Sequence, residues 1–264
     1  MENRLYDLYC DLMKRRDGGN EIWEEIRDKK LTAAPAFEGD LYEHSKSRLM
    51  VVGRAVNGWE VDFPVFNNAE EATSAIIGQS FDFSDVVNPK GLPYPDEPSR
   101  KNYFYSKSKF WKLIKFILEL YGDSDKNGMS TWYTDNLHWN RRIIWSNLYK
   151  IAPRKGGNPD WSFFIPDMQY YIDIIKTEIK QYRPDRILFV TDWNYFSPEN
   201  CESTFANEFL LEKSCNENSC VVASGKYGEI SVVVCKRPDR SYSIKNIDII
   251  NMAKEIHDYF EKQR

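Results

Sequence analysis

At 264 residues with a formal net charge of -4, the chain is long enough to bury one sizeable core and lacks the broad positive field of a sequence-independent DNA binder. No apolar run approaches the roughly 20 residues that cross a bilayer, and the stretch MENRLYDLYCDLMKRRD has no apolar block of a secretory leader, so a cytoplasmic protein without a membrane partner is expected. The cysteines (Cys10, Cys201, Cys215, Cys220, Cys235) form no C-x-x-C pair, which predicts idle or buried thiols, no metal and no iron–sulfur or other cofactor.

No composition break is long enough for a linker, so residues 1–264 read as a single α/β domain with residues 1–45 as an N-terminal helical extension packed on it. Leu5, Leu8, Tyr9 and Leu12 share one helical face there, and Ile22, Trp23 and Ile26 another, with a turn at Gly18-Gly19-Asn20 between them. Residues 48–53 (RLMVVG) are a nearly continuous apolar run closed by glycine, the pattern of a buried parallel strand turning into a loop. From Asn57 to Tyr105 turn residues dominate, with one short helix expected near Glu70–Ile77. Ser106 or Ser108 can cap a helix with the apolar face Phe110, Ile114, Ile117, Leu118 and Tyr121, whose Lys109, Lys112 and Lys115 are expected to face solvent.

Residues 143–149 (IIWSNLY) read as a second strand, followed by the cationic glycine loop PRKGGNP at 153–159. Pro166 opens a helix that runs to Tyr182 with Met168, Ile172, Ile175 and Ile179 inward, and Arg186–Val190 is the strand it hands on to. Val221–Ala223 and Ile230–Cys235 supply further strands, and Ile247, Ile250, Ala253, Ile256 and Phe260 mark an amphipathic final helix. Alternating strands and helices predict a three-layer α/β/α fold with a mainly parallel central sheet of about four strands. In such folds ligands bind beyond the carboxyl ends of the strands, so the loops after Gly53, Asn147, Val190 and Cys235 are where function is expected.

Four segments in order, GRAVNGWE (53–60), WSNLYKIAPRKGGNP (145–159), RPDRILFV (183–190) and VVVCKRPD (232–239), resemble the strand-end motifs of the uracil-DNA glycosylase superfamily. The resemblance spans roughly residues 48 to 240 and implies a uracil-DNA-glycosylase-like fold, with DNA or another nucleobase-containing ligand as partner. It implies that Gly53, Arg54 and Ala55 form the loop that presents backbone donors to a base, and that Asn147 pairs with the edge of a flipped-out pyrimidine. An amide carries both donors and acceptors, which suits it to that edge; an asparagine that merely satisfies a turn is the alternative.

The family places a carboxylate one or two residues after the glycine, where this chain has Arg54 and Ala55; Glu60, Asp62 and the water-orienting Asn57 stand nearby as substitutes, or as solvated loop residues. Phe63 or Phe66 falls near the family's base-stacking aromatic, with plain core packing as the alternative. Arg237 occupies the place of the family's histidine before proline, where it can stabilise an anionic leaving group, and Arg154, Lys155, Lys236 and Arg240 would complete a basic rim. Trp132, Tyr133, His138 and Trp139 read either as further cavity wall or as packing. The expected function is a DNA base N-glycosylase-like protein that binds a flipped modified or deaminated base and hydrolyses its N-glycosidic bond. The alternatives are a non-catalytic module of the same fold that binds a nucleobase, a nucleotide or nucleic acid and, since such sheets host many activities, an unrelated small-molecule hydrolase.

Overall fold

The computed structural model describes residues 2–17, 20–24, 31–55, 66–92, 102–153, 161–238 and 246–263. Its centre is a six-stranded sheet built from β1 (Phe37–Glu38), β2 (Leu49–Ala55), β3 (Ile144–Tyr149), β4 (Arg186–Val190), β5 (Val221–Tyr227) and β6 (Ile230–Cys235), in the spatial order β1-β3-β2-β4-β6-β5. The inner strands β3, β2, β4 and β6 run parallel, and the edge strands β1 and β5 run antiparallel to their neighbours. All six residues of β3 and all five of β4 are buried, which is what a strand covered on both faces requires and why these runs contain so few polar residues.

The covering layers are α1 (Glu2–Lys14), α2 (Ala69–Ile77) and α4 (Met168–Tyr182) on one face, with α3 (Lys109–Tyr121) and α5 (Asn246–Lys262) on the other. Adjacent residues of β3 show the two faces directly. Ser146 Oγ donates to Glu178 Oε2 of α4 at 2.7 Å, while the Trp145 ring meets Trp111 of α3 at 5.2 Å between centroids. The helices begin and end where their sequence dictates: Asn68 caps α2 by accepting from the Glu71 amide at 2.8 Å, and Gly122 closes α3 in the left-handed region at φ 73°.

The chain lays down β2, then β3 beside it, then crosses to the other side of β2 to form β4 and continues outward to β6. The direction of winding therefore reverses between β2 and β4, which opens a crevice outside their carboxyl ends.

Three expectations need correction. The sheet has six strands rather than about four: the four parallel ones are those expected, and β1 and β5 extend it. Within the N-terminal segment, α1 is followed by β1 and by Leu31–Ala33, which pairs with Ile151–Pro153, so this segment is part of the sheet structure and not only a helical cover. Lys115 is fully buried instead of facing solvent: its Nζ donates to Glu119 Oε1 at 2.7 Å, Ser124 Oγ at 2.9 Å and Thr131 Oγ1 at 3.1 Å. That complement of acceptors offsets the cost of burying an ammonium group.

Candidate functional site at the carboxyl ends of the parallel strands

Gly53 and Asn147 are cross-strand partners in the β2–β3 ladder. A Cβ at position 53 would stand 2.9 Å from Asn147 Oδ1 and 3.8 Å from the Phe110 ring at the start of α3, so the carboxamide lies over the glycine in space that only glycine leaves open. Asn147 is 3% exposed, and among the described residues its carboxamide has no hydrogen-bond partner. A buried amide in that state retains its full capacity to pair with a ligand. Ala55, also buried, pairs in register with Tyr149 two residues further on. Phe66 is 3% exposed and belongs to the core just ahead of α2.

Arg54 goes the other way. Strand alternation sends its side chain to the face opposite the Gly53–Asn147 contact, where Nε donates to the Thr191 carbonyl at 3.0 Å and the guanidinium pairs with the Asp192 carboxylate. Asp192 follows the end of β4 with a left-handed φ of 60° and ψ of 164°, a conformation rare for anything but glycine. Its amide donates to the Cys235 carbonyl at 3.1 Å and its Oδ1 accepts from the Arg237 amide at 3.0 Å. One carboxylate thus ties together the ends of β2, β4 and β6 across the switch-point crevice.

An aromatic group lines the same side. The Arg54 guanidinium lies 4.2 Å from the Tyr195 ring centroid, Tyr195 is stacked with Trp161 at 5.3 Å and 25°, and Tyr149 is stacked with Phe164 at 4.0 Å and 26°. Tyr149 Oη donates to the Tyr195 carbonyl at 2.6 Å, and burial pushes that hydroxyl well above the usual tyrosine range, so it remains a neutral donor. Trp161 is 40% exposed, the open end of an otherwise packed group.

The remaining site expectations sort clearly. Lys236 is exposed and donates to the Glu217 carbonyl at 2.7 Å, and Arg237 is half-buried beside Asp192. Asn57, Glu60, Asp62, Phe63, Arg154, Lys155 and Arg240 lie outside the described residues. Lys150, three residues after Asn147, is fully buried and donates to Glu178 Oε1 at 2.8 Å, Glu178 Oε2 at 2.9 Å and Ser146 Oγ at 2.7 Å. Burial lowers its affinity for a proton, the Glu178 carboxylate works against that, and the group pins α4 to β3. Trp132 and Trp139 are core residues 4.8 Å apart, with Trp132 Nε1 donating to the Val86 carbonyl at 3.0 Å.

Sequence reasoning points to the loop after Val190 without singling out a residue in it. The signal present was the TDW tripeptide directly following β4, which delivers Asp192 to the crevice. Trp161 carried only a weaker signal, as the second residue after a glycine and proline loop. No protein-family model matches this sequence, and no curated protein matches it significantly.

Proposed function

We propose that this chain is a DNA base N-glycosylase-like protein that receives a flipped modified or deaminated base at the ends of β2 and β3. The observation that carries the reading is Asn147: a nearly fully buried carboxamide, without a partner among the described residues, set over a glycine at the carboxyl end of a parallel strand. Its amide N–H and C=O complement the adjacent lactam groups of a pyrimidine or oxidised purine edge. Phe110 supplies an apolar wall to the same space. In this reading Glu60 or Asp62, with Asn57, positions the water that attacks C1′ as the C1′–N bond breaks, and Arg237 stabilises the departing base anion.

A second reading, a nucleobase-binding module without chemistry, is favoured by one specific observation. Arg54 stands where the resembled family carries a carboxylate, and the carboxylate that the structure does bring to the strand ends, Asp192, is engaged by the Arg54 guanidinium and the Arg237 amide. The two readings separate in one experiment. Labelled oligonucleotides carrying uracil, hypoxanthine, xanthine or an alkylated base are incubated with the protein and treated with alkali, alongside Asn147→Ala. Strand breaks that vanish in the variant support the glycosylase; binding without breaks supports the module; neither overturns both.

A further inference from the structure

Trp161 and Tyr195 form the part of the strand-end cluster that the base pocket does not use. Tyr195 stands in the short helix directly after β4, and Trp161 in the turn of helix leading toward α4, so both border the switch-point crevice. The indole is stacked with Tyr195 at 25° and packs against Phe164 at 4.8 Å. Tyr195 is in turn fixed by the guanidinium of Arg54, itself held by Thr191 and Asp192. A tryptophan restrained in this way and still 40% exposed is a pre-organised flat surface, and a planar partner settling on it costs little additional ordering. Among the described residues the other large exposed hydrophobic ones stand on other elements: Leu120 on α3, Tyr133 ahead of β3, and Leu210 at the end of the Phe205–Phe209 helix. A single rigid aromatic beside strand ends is the geometry on which an unpaired base stacks, whatever its identity.

We propose that Trp161, backed by Tyr195 and Arg54, is a stacking platform for an unpaired base of a single-stranded nucleic acid, at the carboxyl ends of β2 and β4 on the Arg54 face of the sheet. The proposal deepens the nucleobase-binding reading above and rests on it for the choice of ligand. It assigns the protein a preference for single strands: a base within a duplex stays in its stack, whereas an unpaired base is free to move onto the indole.

The test measures anisotropy of fluorescein-labelled oligo-dT and oligo-rU of equal length, and of the matching duplexes, with wild type, Trp161→Ala, Trp161→Phe and Asn147→Ala, each first checked for an unchanged melting temperature. Binding of free uracil to the same proteins is measured by calorimetry. Trp161→Ala is expected to weaken single-strand binding roughly 5- to 150-fold, the equivalent of one stacked base. It should leave uracil binding unchanged, while Trp161→Phe retains most of the affinity and loses the ligand-induced quenching of indole emission. Single-strand affinity unaltered in Trp161→Ala overturns the platform, and if Asn147→Ala still abolishes uracil binding the pocket reading stands without it. Trp161-dependent strand binding with no uracil binding keeps the platform and removes the pocket. A wild-type protein that binds neither ligand removes both.

Discussion

Gly53 and Asn147 face each other across two parallel strands, and a methyl group on the glycine would stand 2.9 Å from the asparagine's Oδ1. The contact is too close to be accommodated without moving the carboxamide, a short side chain that is only 3% exposed and therefore closely packed by its neighbours. Gly53→Ala is therefore expected to fold, at a cost of about 1–3 kcal/mol from overpacking. On the nucleobase-binding reading proposed above, the variant should bind a base at least about tenfold more weakly, because a displaced donor and acceptor pair is worth at least one ordinary hydrogen bond of about 1.5 kcal/mol. Urea unfolding and calorimetric titration measure the two effects separately. Base affinity equal to wild type in Gly53→Ala would detach the Asn147 amide from recognition.

At Asp192 the backbone and the side chain make opposing demands. The left-handed φ favours glycine, while the ion pair with Arg54 and the Arg237 amide bond require a carboxylate. Asp192→Ala loses the carboxylate and keeps the strain; Asp192→Gly loses the carboxylate and relieves it. Glycine is expected to be the more stable variant by about 1 kcal/mol, the strain relief of about 1–3 kcal/mol being partly offset by the greater freedom of glycine in the unfolded chain. The opposite order in chemical denaturation would show that the residue is not held in this conformation in solution.

The buried Lys150–Glu178 pair gives a sharper stability test. Both side chains are fully buried, and Glu178 also accepts from Ser146 and from the Ala36 amide at 3.1 Å. Lys150→Met leaves a carboxylate buried without its counter-charge and should cost about 3–5 kcal/mol. Adding Glu178→Leu removes the stranded charge, so the double variant should be less destabilised than the sum of the single ones, with a coupling of about 0.5–3 kcal/mol in a double-mutant cycle. Simple additivity would mean that the two groups do not interact.

What could be read from the sequence follows from which signals are local. The runs that became β2, β3, β4 and β6 are mostly apolar because each is covered on both faces, with Arg54, Ser146, Asn147, Arg186 and Ser231 as the polar exceptions, and that composition is visible without knowing the neighbours. The two-residue β1 is too short to carry a period, and Lys115 resembles a solvent lysine because its acceptors Ser124 and Thr131 arrive from beyond the helix. The candidate site divides in the same way. Gly53 and Asn147 were legible as chemistry-bearing residues late in two apolar runs, but the expected loop at Gly53-Arg54-Ala55 is strand instead: β2 runs on to Ala55 and β3 to Tyr149, because Ala55 still pairs with Tyr149. The Arg54–Asp192 pair was not, since it depends on β4 crossing over to lie beside β2, a matter of topology that no local pattern records.

Glu255 on α5 supplies the pH test. Burial works to raise its pKa, but its carboxylate accepts from Ser219 Oγ and from the Cys220 amide at 3.2 Å, and these donors win, holding the group below the ordinary glutamate value of 4.5. A carboxyl whose folded pKa is depressed contributes stability that is present above its unfolded value and is lost as pH falls through the folded value. The protein should therefore lose stability as the pH drops below about 4.5, and part of that loss belongs to the contact between α5 and the start of β5. Glu255→Gln keeps an acceptor but cannot titrate. It should be less stable than wild type near neutral pH, where the charged acceptor is the stronger one, and its denaturation midpoint should fall less steeply below pH 4.5. Parallel pH profiles for the two proteins would show that the Ser219 and Cys220 bonds do not distinguish the ionised from the neutral carboxyl.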